Sequence, residues 1–210
     1  MGLLDTNIVE QLKAYFDKIE IPVEIISFLN DSNKSKELKE FLKEIDAISE
    51  KVNVTEKIFG EDKSLEEKLG ITRPVSFALT KAGEKTGINF CGIPGGHEFN
   101  SFVLSILGLS GLGKKLEGEQ LTKIQAINKP LNIETFISLS CTKCPEVVQG
   151  LNIISMANDN ITSSLVDGGV YPEEVEEKNI QGVPVIFING KQASVGEKTI
   201  EELITLVSNA

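Results

Sequence analysis

The stretch Ser140-Cys141-Thr142-Lys143-Cys144-Pro145 limits what this chain can fold into more than any other. Upstream, Ile133-Glu134-Thr135-Phe136-Ile137-Ser138-Leu139 is rich in branched and aromatic residues, as strands are. Downstream, Val147, Val148, Leu151 and Ile154 recur at helical spacing. Two cysteines separated by two residues therefore stand where a strand gives way to a helix, an arrangement suited to thiol–disulfide exchange. A thiol just before the first helical turn faces unpaired N–H groups and the positive end of the helix dipole. This favours the thiolate and lowers the pKa below the free value of about 8.5. Cys141 is accordingly expected to attack, and Cys144, about one turn further in, to resolve the mixed disulfide. Pro145 fits the first helical turn, where its missing N–H has no partner to lose.

Two other uses of such a pair are weaker. A zinc site needs two further ligands, and the chain offers only Cys91 and His97 besides. A purely structural disulfide over so short a span constrains the unfolded chain little. No metal and no bound cofactor are expected in this chain, because the redox-active disulfide is itself the working group.

At 210 residues the chain exceeds the roughly 100 that a small redox domain needs, so two domains or one duplicated unit are expected. A formal charge of −10 would repel nucleic acid and anionic membranes alike. Met1-Gly2-Leu3-Leu4-Asp5-Thr6-Asn7 lacks the basic-then-apolar order of a signal peptide, and no apolar run approaches the length of a membrane span. Gly2 reads as part of a plain N-terminus rather than a myristoylation site. The expectation is a soluble cytoplasmic protein.

Taken in order, the chain alternates helical and strand patterns. A helix capped by Thr6 or Asn7 carries Ile8, Leu12, Phe16 and Ile19. A strand follows at 23–29, then a helix with Leu38, Phe41, Leu42 and Ile45, and a short strand at 52–54. Residues 56–70 read as a charged loop with one surface helical turn. A strand at 71–79, a hairpin, a strand ending at Cys91, an apolar helix from Phe99 and a Gly-rich break at 108–113 complete the first half. The same order then recurs: a helix at about 119–127, strand 131–139, helix 145–157, strand 161–166, a short helix near 172–178, strands 183–188 and 191–194, and a final helix with Leu203, Ile204 and Val207. Residues align as well as elements, Ile26-Ser27 lying 111 positions before Ile137-Ser138 and Pro74-Val75 lying 110 before Pro184-Val185. An α/β protein of two fused units is expected, 1–113 and 114–210. Only the second carries the dithiol, since the equivalent of the cysteine turn, near Asn30–Lys34, holds no sulfur.

A dithiol site of this kind needs a second segment that offers backbone polar groups to an extended substrate polypeptide, and Gly182-Val183-Pro184 suits it. The residues leave the Val183–Pro184 bond open between cis and trans.

With these segments stands a resemblance. The run Ser138–Gln149, the segment Val166-Asp167-Gly168-Gly169, the run Gly182–Lys191, the start Leu4-Asp5-Thr6-Asn7 and the tract Gly96-His97-Glu98-Phe99 together resemble the N-terminal domain of the flavoprotein subunit of bacterial alkyl hydroperoxide reductase. The resemblance implies two fused thioredoxin-like folds packed together, each a central mixed sheet flanked by helices. It implies that Cys141 and Cys144 take electrons from a flavoprotein disulfide reductase module and pass them to the disulfide of a peroxiredoxin, with FAD and NADH on a separate or missing module. It implies further that Val183–Pro184 is cis and that Glu98 lies close to the active sulfurs. Thr142 and Lys143 depart from the His and Asn usual in that family, and Lys143 adds a positive charge beside Cys141. Read from the residues alone, Glu98 is a dipole partner for the helix it starts; read as a functional group, it holds a proton while the thiols exchange. His97 reads as a polar helix-start residue and Cys91 as a small buried hydrophobe. Two alternatives share these features: a general protein disulfide reductase or isomerase, and a partner-docking module in which the cysteines are incidental.

Overall fold

The computed structural model describes residues 4–210, and Gly2 lies outside them. The elements are α1 (Thr6–Phe16), β1 (Val23–Leu29), α2 (Asn33–Asp46), β2 (Val52–Ile58), α3 (Lys63–Leu69), β3 (Ser76–Lys81) and β4 (Glu84–Cys91). A single 3-10 turn (Gly96–Glu98) then leads into α4 (Phe99–Leu109). The second half comprises α5 (Gly118–Gln125), β5 (Leu131–Ile137), α6 (Cys144–Ser155), β6 (Ile161–Asp167), α7 (Pro172–Glu177), β7 (Val185–Ile188), β8 (Lys191–Val195) and α8 (Ile200–Ser208).

Short polar side chains start several of these helices. Asp5 rather than Thr6 or Asn7 caps α1, accepting from the Asn7 amide; Ser32 caps α2 and Asp62 caps α3. Thr199 and Glu202 form a reciprocal capping box on α8. The segment 56–70 is more ordered than its charge suggests. Strand β2 runs on to Ile58, and α3 buries Leu69 beneath the sheet together with Glu66, whose carboxylate accepts from the Gly60 amide at 2.6 Å. A charged residue that finds a backbone donor can be buried, and composition does not reveal the donor. Pro74 lies outside the ladder, because β3 begins at Ser76.

Both halves share one internal plan. The central strand β1 runs parallel to β2 and antiparallel to β3, which pairs antiparallel with β4; β5 repeats this with β6, β7 and β8. The two mixed sheets are not merely packed together. Strands β4 and β6 pair in parallel, Ile88 to Cys91 against Ser163 to Val166, so that the molecule has one continuous sheet in the order β2-β1-β3-β4-β6-β5-β7-β8. Gly87 makes the approach possible: at φ +76°, a Cβ there would stand 2.3 Å from the Ile161 carbonyl oxygen.

One face of the sheet carries the main core. Phe77, Phe90 and Phe102 pack in stacked and edge-on pairs, and Ile137, Val148 and Leu165 from the second half join the same cluster. The opposite face is covered by α3 over Phe28 and Ala78 and by the α7 region over Phe136 and Phe187. On that face Arg73, from the first half, pairs with Glu134 of β5 and with Glu174 of α7 (3.2 Å), and lies over the Tyr171 ring. No helix among the described residues is long and apolar enough to cross a membrane.

Candidate active site

Strand β5 ends at Ile137, and the chain turns through Ser138–Lys143 before α6 begins at Cys144. The Cys141 amide donates to the Ser138 carbonyl at 2.9 Å, which folds the turn back on the strand. Lys143 has no capping side-chain hydrogen bond. The Cys144 amide instead donates to Sγ of Cys141 at 3.1 Å, so sulfur occupies the position of a capping oxygen. This bond and the aligned peptide dipoles of α6 favour negative charge on Cys141.

The two sulfurs are joined as a disulfide, with the Cα atoms 5.6 Å apart. They are not equivalent. Cys141 is partly exposed, whereas Cys144 is fully buried at 0 %. An incoming group therefore reaches Cys141, and Cys144 is reached only through it.

The Val183–Pro184 bond is cis, and the Val183 carbonyl oxygen lies 3.8 Å from Sγ of Cys141. Pro184 precedes β7, and its own carbonyl accepts from the Gly196 amide at 2.8 Å, which ties the proline segment to the chain just past β8. Val183, itself partly buried, adds apolar surface beside Cys141. Thr142 and Lys143 are both exposed. Lys143 is held by Glu197, at 2.7 Å to one carboxylate oxygen and 2.9 Å to the other, and this bond raises its pKa above the ordinary value.

Glu98 arrives from the first half. The 3-10 turn that carries it packs on α6, and the His97 amide donates to the Leu139 carbonyl at 3.1 Å, two residues before Cys141. Gly96 permits this contact: at φ +53°, a Cβ there would lie 2.5 Å from the Leu139 carbonyl oxygen. The Glu98 carboxyl is buried at 0 %, with neither oxygen in hydrogen-bonding geometry with any described residue. Burial pushes it up to about 7, while the Ser101 hydroxyl, close enough to act on it, pulls the other way. It is a buried acid poised near neutrality.

Cys91 lies apart, buried in the cluster of Phe136 and Val166, where desolvation pushes its thiol up to about 12. No three described His, Cys, Asp or Glu side chains are grouped as a metal site. Two features of the site had no signal in the sequence: the Lys143–Glu197 pair, formed across 54 residues, and the burial of Glu98.

The crystal structure of the NTD_N/C domain of alkylhydroperoxide reductase AhpF from Enterococcus faecalis superimposes with a TM-score of 0.89 at 35 % identity, over 96 % of this chain and 98 % of that one. The chain belongs to the AhpF family of alkyl hydroperoxide reductases, as its N-terminal part. The F subunit of alkyl hydroperoxide reductase of Escherichia coli is 42 % identical over 205 residues, which is 98 % of this chain but 37 % of that protein. The chain thus spans a little over a third of the full-length AhpF proteins it matches. The thioredoxin domain family model matches residues 131–208, the half that holds both cysteines. A protein disulfide oxidoreductase from Aeropyrum pernix shares the fold, with a TM-score of 0.86 at 22 % identity. Within the AhpF family, then, the chain contributes an α/β thioredoxin-like fold whose second half holds the Cys141–Cys144 disulfide.

Proposed function

We propose that this chain is a dithiol–disulfide electron carrier in a peroxide-detoxifying system of the cytoplasm. Its disulfide is reduced by the dithiol of a flavoprotein reductase module, where FAD and NADH are bound, and its dithiol in turn reduces the disulfide of a peroxiredoxin. The observation that carries this reading is the asymmetry of the pair, a partly exposed Cys141 held by the Cys144 amide in front of a fully buried Cys144. The Cys141 thiolate attacks the partner disulfide and forms a mixed disulfide. Cys144 then displaces the partner's second thiolate, closing the Cys141–Cys144 bond as two electrons leave for the partner. The Val183 carbonyl beside the cis proline supports an extended partner segment lying against Cys141. Glu98 takes the Cys144 proton as that sulfur attacks. Thr142 and Lys143 shape the approach to Cys141. The redox-active unit is residues 114–210, and the unit 1–113 supplies Glu98 and its supporting helix.

The test compares reduction of a peroxiredoxin with reduction of an unrelated disulfide protein. The peroxiredoxin should be preferred; comparable rates on both would mean a general disulfide reductase. Cys141→Ser should abolish transfer, and Cys144→Ser should trap the mixed disulfide with the peroxiredoxin. A Cys141→Ser chain that keeps full activity would leave only a docking module.

A further inference from the structure

Four lysines from the two halves of the chain, Lys81, Lys85, Lys114 and Lys115, line one cavity at the far end of α6 from the sulfurs. We propose that this cavity binds a linear aliphatic carboxylate, its tail on the apolar floor between the halves and its head held by Lys85, Lys114 and Lys115. The site is separate from the dithiol, so its failure would leave the electron-carrier reading untouched. Helix α6 begins at Cys144 and is capped by Met156 in the cavity wall, a distance of roughly 18 Å at about 1.5 Å per residue.

The cavity measures about 470 Å³, within the range of about 300–1,000 Å³ usual for small-molecule sites. Lys81 and Lys85 reach it from the β3–β4 hairpin, and Lys114 and Lys115 from the loop that leads to α5. That loop is anchored on both sides of its lysines. Gly113 lies against the last turn of α4, where a Cβ would stand 2.6 Å from the Gly108 Cα, and Leu116 is buried in the core of the second half. The floor is aliphatic, with Leu109, Leu116, Leu121, Ile153 and the flexible thioether of Met156.

Charge selects the ligand. Acidic residues outnumber basic ones by 31 to 21, yet none of these lysines forms an ion pair with a described residue. Of the two acids in the lining, Glu84 is drawn to Lys68 at 3.7 Å. The other, Asp159, raises the Lys85 pKa less than burial lowers it. Four ammonium groups against two carboxylates leave a positive opening in an acidic protein. The lining holds no arginine fork for a phosphate and no aromatic ring for a base to stack on. Flexible ammonium groups above an aliphatic floor match a carboxylate that carries an alkyl tail. A purely structural seam between the halves accounts for the leucines but not for unpaired lysines gathered around one space.

The test is calorimetric titration of the intact chain with octanoate, decanoate and dodecanoate, each below its micellar concentration. Every methylene buried should tighten binding about fourfold, so each step of the series should gain about tenfold or more. Dodecanoate should also raise the melting midpoint, because it binds the folded chain alone. Dodecyltrimethylammonium, with the same tail and a cationic head, should not bind. Lys85→Gln should weaken dodecanoate about tenfold, and the double variant Lys114→Glu, Lys115→Glu by more than that. Lys114 and Lys115 are exposed, so the double variant reports on the site even if Lys85→Gln folds poorly. Absence of both heat and melting shift with dodecanoate would overturn the proposal, and so would equal binding of the cationic amphiphile. Undiminished binding by the double variant would place the carboxylate elsewhere and overturn it too. Tripolyphosphate, a polyanion without a tail, is the last arm: binding tighter than that of dodecanoate would assign the lysines to a phosphate ligand and end the carboxylate reading.

Discussion

Glu98 and Lys143 illustrate two ways in which one residue can tune a dithiol. Burial without a hydrogen-bond partner raises the Glu98 carboxyl from an ordinary 4.5 to about 7. The folded chain therefore binds a proton more tightly than the unfolded one. The resulting stability is fully present below about pH 4.5 and is lost as pH rises through about 7. The shift corresponds to something on the order of 3 kcal/mol. Glu98→Gln removes the charge but buries an amide in its place, so a gain of about 1–2 kcal/mol at pH 8 and little at pH 5 is expected from urea unfolding. A variant no more stable at pH 8 than at pH 5, relative to the parent, would mean that the carboxyl is solvated. Lys143 works on Cys141 from outside. Its ammonium is neutralised by Glu197, so Glu197→Gln should release positive charge toward the sulfur and move the thiolate absorbance midpoint to lower pH, whereas Lys143→Gln should move it higher. Both shifts should shrink in salt, as exposed charges are screened. Midpoints that coincide in the two variants would remove Lys143 from the account.

At the scale of elements, the 3-10 turn Gly96–Glu98 is the part that joins the silent half to the reactive one. Its grip on the strand that leads to Cys141 depends on Gly96, where any side chain would meet the Leu139 carbonyl. Gly96→Ala must both adopt a left-handed backbone, at about 1 kcal/mol or more, and push the turn outward. The expected outcome is a lower urea midpoint together with slower closure of the Cys141–Cys144 bond when the reduced chain is mixed with a small aromatic disulfide; slowed closure at unchanged stability would point to a local shift, and no change in either would mean the turn does not position Glu98. Most elements were legible beforehand because their burial follows a simple period. Strands such as β1 and β5 carry branched residues, and α4 and α8 carry apolar stripes. Helix α3 was not, since half of its buried face is Glu66, a residue that sequence patterns assign to solvent. The cysteine turn was legible because its chemistry is local. Glu98 had a helix-start position in the sequence, but its burial arises from α6 packing over the turn, and no spacing along the chain records that contact.

At the scale of the molecule, the question is whether the reactive half can exist alone. The sequence repeat suggests two separable units, yet β4 and β6 are bonded into one sheet, and Ile137, Cys144, Val148 and Leu165 are buried in a cluster dominated by the first half. Splitting the chain after residue 113 would expose an unpaired edge on β6 and this apolar face. At about 1.5–3 kcal/mol for each large side chain uncovered, several kcal/mol are lost, comparable with the roughly 5–15 kcal/mol by which whole domains are stable. Residues 114–210 produced alone should therefore melt without a cooperative transition and lose amide protection along β6, and addition of residues 1–113 should restore both. Gly87→Ala tests the same seam in the intact chain, because a Cβ there collides with the Ile161 carbonyl at the first step of the β4–β6 pairing. It should weaken exchange protection on β4 and β6 before it affects β1 or β7. A fragment 114–210 that unfolds cooperatively with native protection on β6 would show the first half to be an accessory; its failure to do so would explain why a unit without a dithiol is built into the sheet, since the reactive fold then borrows part of its core, as well as Glu98, from its neighbour.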